Sequence, residues 1–478
     1  MVQNGLTQSA FLLSAAHKSS GKTLVSVGLA AAWQRQGRHI QTFKKGPDYI
    51  DPLWLTRASG RPCRNLDLYL MSRVEVAALY QCHAQSAELC LVEGNKGLYD
   101  GLALDGSNSN AELAKMLGLP VVLVLDARGM TRGIAPLILG YQAFDRDIRI
   151  AGVILNQLGG RRHEAKLRAV IEHYTDIPVI GAIQHEPDLF VEESHLGLIP
   201  SNESLCLDVT LQRLAQALSD QVNLSCLEQL TQTSRPPRPQ ESVPIVQPLR
   251  AVINRNPVLR LGIIQDHAFG FYYPDDLEGL QAAGANLVKL SALEDDELPE
   301  LDGLYIGGGF PERYARALAA NERFRHSLLQ AIMAGLPVYA ECGGLMYLSR
   351  SLTTLEGETY PMVGAIPGRV VMESRPVGRG YVHLAENDGH PWPRREPPHG
   401  LIPAHEFHYS RLLDLPEGLN YAFEVKRGFG IDGQRDGLCL YNMLASYTHL
   451  RALGQCYWTA RFMAFMRAKI DSIPSGEE

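Results

Sequence analysis

The sequence predicts an α/β protein with parallel sheets in two successive domains, on three observations. Short apolar runs recur along the chain, separated by stretches long enough for a helix, which is the pattern of right-handed βαβ units. Several of these runs end in a carboxylate, an amide or a glycine cluster, and ligands of parallel sheets gather at the carboxyl ends of strands. The pattern lapses between about Leu227 and Arg260, around Ser234-Arg235-Pro236-Pro237-Arg238-Pro239, and then resumes. The expected division is therefore 1–227, a proline-rich linker over 228–258, and 259–478.

Composition fits this picture. A chain of 478 residues, 45% hydrophobic and 20% charged, has enough apolar material for more than one core. A net charge of −7 without a basic run argues against a nucleic-acid surface. No apolar run approaches the roughly 20 residues of a membrane span, and no basic segment precedes the short N-terminal apolar stretch, so neither membrane nor export signal is expected. The eight cysteines contain no C-x-x-C pair. A disulfide framework or zinc site is not expected, and a reducing cytoplasm is the expected location.

Taken in order, Phe11–Ala16 reads as a strand, His17-Lys18-Ser19-Ser20-Gly21-Lys22-Thr23 as a loop, and Thr23–Gln36 as an amphipathic helix. This is the setting of a phosphate-binding P-loop. Backbone amides and a helix N-terminus cradle phosphate, Lys22 reaches its oxygens, and Thr23 is placed to hold Mg²⁺. The first glycine of G-x-x-x-x-G-K-[ST] is absent, because Ala16 stands there. An ordinary Ser/Gly helix start remains the alternative for this loop alone. Strands are expected next at Ile40–Lys44, Leu89–Glu93, Val121–Leu125, Ile150–Leu155 and Val179–Ile183. Asp48 and Glu93, at such strand ends, suit the carboxylate-plus-phosphate coordination of Mg²⁺. Asp126 reads either as a Walker-B acid or as a helix N-cap. Asp100 is either a solvated loop acid or a residue facing a second substrate.

In the second half, strands are expected at Leu261–Ile264, Asn286–Leu290, Gly303–Ile306 and Pro337–Ala340. The last ends in Glu341-Cys342-Gly343-Gly344, with helix-compatible Leu345–Leu348 behind it. A strand turning sharply into a helix exposes its turn residue, as in a nucleophile elbow with cysteine in place of serine. Gly343, together with Gly308 and Gly309 after the Gly303–Ile306 strand, offers backbone amides for an oxyanion hole. A cysteine so placed is also compatible with a buried, inert thiol, and its partners decide between the two. A thiol nucleophile needs a histidine base, and His405, His408 and His449 are the candidates. Position late in the domain favours His449. The residue two beyond it, where a glutamine amidotransferase usually carries glutamate, is Arg451, which implies a Cys–His dyad.

Seven motifs in this order resemble one family over roughly residues 10–460: Lys45-Gly46-Pro47-Asp48-Tyr49-Ile50-Asp51-Pro52, Glu93-Gly94 with Gly97-Leu98-Tyr99-Asp100-Gly101, Phe271-Tyr272-Tyr273-Pro274, Gly307-Gly308-Gly309, Glu341-Cys342-Gly343-Gly344, His405–Ser410 and Ser446-Tyr447-Thr448-His449. The family is cobyrinic acid a,c-diamide synthase. The resemblance implies a dethiobiotin-synthetase-like P-loop domain joined to a class I glutamine amidotransferase domain. It also implies conversion of tetrapyrrole acetate groups to acetamides by glutamine and Mg·ATP. On that basis Gly21, Lys22 and Thr23 bind phosphate, Thr23, Asp48 and Glu93 support Mg²⁺, and Asn156 contacts adenine. Tyr49 and Asp100 face the tetrapyrrole, Cys342 is the nucleophile and His449 its base. Ammonia released at Cys342 would need a closed internal path to an acyl phosphate, and a homodimer is expected by family analogy.

Asn95-Lys96 stands where the family tends to have Val-Met, the segment 104–110 is polar, and Arg451 replaces a histidine. These departures point to a different macrocycle, with siroheme amidase or nickel-sirohydrochlorin diamide synthase as the sibling activities. A P-loop switch ATPase with an inactive glutaminase domain is the reading from another class. It leaves residues 259–460 unexplained.

Overall fold

The computed structural model describes residues 7–186, 193–194, 197–198, 207–234, 258–394, 400–453 and 456–471. The chain divides into two compact units, Met1–Val246 and Gln247–Glu478.

The first unit is a parallel sheet covered by helices. Its strands are β1 (Thr7–Ala15), β2 (Ile40–Lys45), β3 (Arg64–Leu66), β4 (Leu89–Glu93), β5 (Val121–Asp126), β6 (Ile150–Leu158) and β7 (Val179–Gln184), in the order β3-β2-β4-β1-β5-β6-β7. Both sheet faces are covered, so every residue of β2 and β4 is buried; β4 is an apolar run ended by Glu93, whereas β2 buries Gln41, Thr42, Lys44 and Lys45 against polar partners. Helices α1 (Lys22–Arg35), α2 (Ile50–Ser59), α3 (Arg73–Ala84), α4 (Asn110–Leu117), α5 (Ile134–Phe144) and α6 (Arg161–Tyr174) connect them. The core gathers Phe11, Trp33, Trp54, Leu91, Val124 and Ile154 with Leu214 and Leu218 of α7 (Leu207–Gln221).

Residues 228–234 are not linker. The two-residue strands β8 (Glu193–Ser194) and β9 (Gly197–Leu198) precede α7; helix α8 (Leu224–Leu230) is capped by the Asn223 side chain and is followed by β10 (Gln232–Ser234), antiparallel to the start of β1. Buried Thr231 lies 2.7 Å from the Ser9 hydroxyl. So short an element carries too few residues for its periodicity to be legible. The rest of the expected linker, 235–257, lies outside the described residues.

The second unit holds a nine-stranded mixed sheet in the order β13-β11-β14-β16-β25-β24-β23-β20-β21. Four of its strands were expected: β11 (Leu259–Ile264), β13 (Ala285–Leu290), β14 (Gly303–Ile306) and β16 (Val338–Glu341). They pair in parallel with one another and with β25 (Met443–Ser446). The sequence reading missed the antiparallel extension β20 (Gly378–Glu386), β21 (Ile402–His408), β23 (Asn420–Arg427) and β24 (Arg435–Leu440). In β21, and roughly in β20, buried and half-buried positions alternate, while β23 and β24 bury only three consecutive residues each, so none shows a long apolar run. A second sheet, β18 (Thr359–Pro361), β17 (Ser349–Thr353), β19 (Ile366–Met372) and β22 (Ser410–Leu413), packs its apolar face on the same core. No helix among the described residues is long and apolar enough to cross a membrane.

Candidate active sites

In the first unit the sheet order sets β1 between β4 and β5, so the loop after β1 opens beside the end of β4. Gly21 closes this loop at φ 89°, a left-handed conformation that glycine adopts without strain. A Cβ there would also meet the Asn156 amide at 2.1 Å. Asn156 is buried at the end of β6 and donates from Nδ2 to the Ser20 carbonyl at 2.9 Å. It is thus placed beneath the loop and holds its backbone.

Lys22 and Thr23 begin α1. Thr23 donates to Glu93 Oε1 at 2.8 Å and to Asp51 Oδ2 at 3.3 Å. Lys44 and Glu93 are Cα partners on neighbouring strands, which aims both side chains the same way. Lys44 Nζ lies 3.0 Å from Glu93 Oε1, hydrogen-bonds Asp51 and stands 3.8 Å from Asp48 Oδ2. Burial alone would lower the Lys44 pKa, but the carboxylates of Asp51, Glu93 and Asp48 lift it well above the ordinary lysine value. Burial pushes the Glu93 carboxyl up against the pull of Lys44, and burial followed by the Lys44 charge lowers Lys22 to about 8.

Of the predicted metal carboxylates, Glu93 sits at the centre of this cluster. Asp48 stands at its edge, before α2, with Oδ1 accepting from the Ile50 and Asp51 amides of the first turn at 2.9 and 3.1 Å. Asp51, missed in the sequence, is the carboxylate beside Thr23. The signal was available in part: Asp51 falls in the first turn of the helix that follows the Lys45–Asp48 loop, where an acid is favoured and faces the same strand end. Asp126 is turned onto Arg128, whose guanidinium makes contacts of 3.0, 3.1 and 2.6 Å, so it does not join the cluster. Tyr49 precedes α2 with its ring largely buried. Asp100 is exposed on the loop after β4, accepts from the Gly97 amide at 2.9 Å, and its charge reaches Lys22 and the Tyr141 hydroxyl.

That loop is tied down by polar residues. Lys45 donates to the Asn108 carbonyl at 2.6 Å, to Asn108 Oδ1 at 3.1 Å and to Asn95 Oδ1 at 3.3 Å. Asn110 donates to the Asn95 and Gly97 carbonyls at 2.6 and 2.8 Å.

In the second unit Cys342 has φ 47° and ψ −100°, a strained turn for a residue with a Cβ, between β16 and the helix Gly343–Leu348. Its amide donates to the Ser446 carbonyl at 2.7 Å. Glu341 and Ser446 pair across parallel β16 and β25, so the segment leaving β25 delivers His449 to the elbow. The Cys342 thiol hydrogen-bonds the His449 ring. Burial would depress this imidazole, but the bonds to Cys342 and Glu341 outweigh it and raise its pKa to about 10. A Cβ on Gly308 would meet His449 Cε1 at 2.6 Å, and one on Gly343 would meet the Gly309 amide nitrogen at 2.9 Å. The three predicted oxyanion-hole glycines therefore converge on the elbow.

The other two histidines differ. Burial, and then the neighbouring His449 charge, lower His405 to about 3, so its ring is neutral at ordinary pH. His408 stacks on Tyr447 at 4.0 Å with Nδ1 2.9 Å from the Ser410 carbonyl. The expected dyad needs correction, because a carboxylate does lie against His449: Glu341 Oε2 is 3.3 Å from Nδ1. Arg451 points elsewhere, into a buried ion pair with Asp275 at 2.9 Å.

Residues 260–455 match the CobB/CobQ-like glutamine amidotransferase domain, and residues 69–193 match an AAA domain. Cobyrinate a,c-diamide synthase of Magnetococcus marinus is 41% identical over 96% of this chain and 97% of its own length. The enzyme of that name from Methanosarcina acetivorans is 40% identical over 92% of both, and that from Synechocystis sp. is 37% identical over 95% of this chain and 92% of its own. With a nucleotide-binding unit and a glutamine amidotransferase unit in one chain, this protein is an amide-forming ligase, and it belongs to the cobyrinate a,c-diamide synthase family.

Proposed function

We propose that the protein amidates acetate side chains of a tetrapyrrole, with glutamine as nitrogen donor and ATP as activator, in the manner the names of its relatives describe. The observation that carries this reading is the presence, in one chain, of a buried Lys22–Thr23–Glu93 cluster beneath a phosphate loop and a Cys342–His449 pair at a strained elbow. A carboxylate resists attack by ammonia, so the substrate oxygen first attacks the γ-phosphorus of ATP, releasing ADP and leaving an acyl phosphate. Lys22 and the loop amides face the charge of the transferring group. Asp100, within electrostatic reach of Lys22, orients the substrate carboxyl. Asn156 keeps the loop in its binding shape.

The donor set fits Mg²⁺. Glu93 Oε2 is a buried carboxylate oxygen with no hydrogen-bond partner among the described residues, next to the Thr23 hydroxyl and Asp51. Thr23, Glu93 and Asp51 would hold the ion, with Asp48 at its edge, and when bound it neutralises phosphate charge. In the second unit Cys342 attacks the glutamine carboxamide. The amide backbones at Gly308, Gly309 and Gly343 face the oxyanion, and His449 donates the proton that lets ammonia leave. Water then hydrolyses the thioester to glutamate. Ammonia displaces phosphate from the acyl phosphate to form the amide.

The test is mass spectrometry of reactions with Mg·ATP, glutamine and, separately, cobyrinic acid, sirohydrochlorin with and without nickel, and siroheme. Each amidation lowers product mass by about 1 Da with one ADP released. Two amidations of cobyrinic acid support the diamide synthase reading. Amidation of siroheme or nickel-sirohydrochlorin alone moves the enzyme to that macrocycle. Glutamine hydrolysis without modification of any macrocycle overturns the substrate class.

A further inference from the structure

We propose that Glu341, the residue immediately before the nucleophile, is the positioning carboxylate of the glutaminase centre: it fixes the tautomer and orientation of His449 from the strand that carries Cys342. This rests on the reading of Cys342 and His449 as nucleophile and base. Adjacent residues would then act on one imidazole, the thiol by its hydrogen bond and the carboxylate at Nδ1, 3.3 Å away.

The carboxylate is built into the sheet. Glu341 is the last residue of β16, 1% exposed, and its carboxylate meets the hydroxyls of Tyr305 and Tyr339, whose rings stack on each other. Oε1 accepts from the Leu450 amide at 2.9 Å and from the Tyr339 hydroxyl, and Oε2 accepts from the Tyr305 hydroxyl at 3.0 Å. The Leu450 contact ties the carboxylate to the residue that follows the histidine, so the two cannot drift apart. The strained turn at Cys342 then lets the next residue leave the sheet and face the same ring. No chain reversal is needed to bring a third residue in, which frees the position two beyond His449 for Arg451 and its ion pair with Asp275.

Asp276, on the helix Pro274–Ala282, and the Tyr272 phenol also face Glu341, and the His405 ring lies 6.3 Å from that of His449. Burial pushes Asp276 up to about 8 against the Arg451 charge, and it accepts from the Ala452 amide and the Trp458 indole at 3.0 Å each. A buried carboxylate against the imidazole holds the proton on Nδ1 and stabilises the imidazolium that forms when the thiol ionises.

The decisive variant is Glu341→Gln in the full chain. An amide keeps the shape but sets an NH₂ group against donors on one side and removes the charge. Glutamine hydrolysis is expected to fall about 100-fold in kcat with little change in KM. The alkaline limb of Cys342 alkylation by iodoacetamide is expected to move down by about 1 pH unit or more, since His449 loses a partner that favours its charged form. Glu341→Asp should recover part of both. A drop in thermal stability with an unmoved alkylation profile would make Glu341 a purely structural carboxylate and overturn the proposal. Should Glu341→Gln not fold, proton NMR of the wild-type chain decides: a low-field imidazole N–H resonance lost in His449→Gln supports the contact, and a water-like shift for that proton overturns it. None of these readouts involves the macrocycle. If the wild type neither hydrolyses glutamine nor shows a reactive Cys342, the underlying reading of the site has failed instead.

Discussion

Lys22 occupies the first turn of α1 with its ammonium buried and another cation, Lys44, nearby. Its lowered pKa of about 8 has a direct consequence. The charged form that binds phosphate dominates below that value and is lost above it, so nucleotide affinity in the Mg²⁺-free protein should weaken as pH rises from 7 to 9. Titration with a fluorescent ATP analogue checks this, and Lys22→Arg should flatten the dependence because guanidinium does not titrate there. At the same site, Asp51→Asn and Asp48→Asn separate the two acids of the α2 turn. Asp51 contacts Thr23 and Lys44, whereas one oxygen of Asp48 is committed to helix amides. Asp51→Asn is expected to raise the Mg²⁺ concentration needed for half-maximal ATP turnover about 10-fold or more, and Asp48→Asn by less. Equal effects would place both acids on the ion.

At the scale of elements, the helix Pro274–Ala282 is locked to the segment after His449. Arg451, 2% exposed, pairs with Asp275 and lies 4.6 Å above the Tyr273 ring, while Asp276 holds Ala452 and Trp458. A buried charge that loses its partner is costly. Arg451→Met removes this buried pair and the contact over Tyr273, and should destabilise the second unit by about 1–4 kcal/mol. Thermal unfolding followed by near-ultraviolet dichroism reads the loss. On the opposite side, Asp436 accepts from the Ser446 and Thr448 hydroxyls at 2.8 and 2.7 Å and from the Tyr447 and Thr448 amides at 3.1 and 3.0 Å. The residues that carry His449 into place are thus held at both ends, which a sequence pattern of polar residues does not disclose.

For the whole molecule, the two chemistries reside in different units, so they should separate under mutation. Cys342→Ala is expected to abolish glutamine-dependent amidation while ammonium salts still support it, at a rate that rises with pH as ammonia replaces ammonium. Product mass, measured with each nitrogen source, checks this. Loss of both activities in a folded variant would mean that Cys342 serves more than glutamine hydrolysis.

Much of this organisation was legible in the chain, and the limits are physical. Most of the buried parallel strands appear as apolar runs, so β1 and β4 to β7 could be placed from them, and β2, with its buried polar residues, from its place in the alternation, as could Lys22, Thr23, Glu93 and the Glu341–Gly344 turn at strand ends. The family followed from motifs whose order survives in the linear text. What only the tertiary structure decided depends on side chains meeting across elements. Asp51 rather than Asp48 lies against Thr23 because α2 turns that face inward, and Asp126 leaves the cluster because Arg128 captures it. The antiparallel strands β20, β21, β23 and β24 carry no long apolar run. Glu341 reaches His449 only because β16 and β25 are neighbours. Local sequence determines which segments become strands and which turns are strained. Proximity of residues more than 100 positions apart, as for Glu341 and His449, is set by strand order, and strand order is fixed by the packing of the whole sheet.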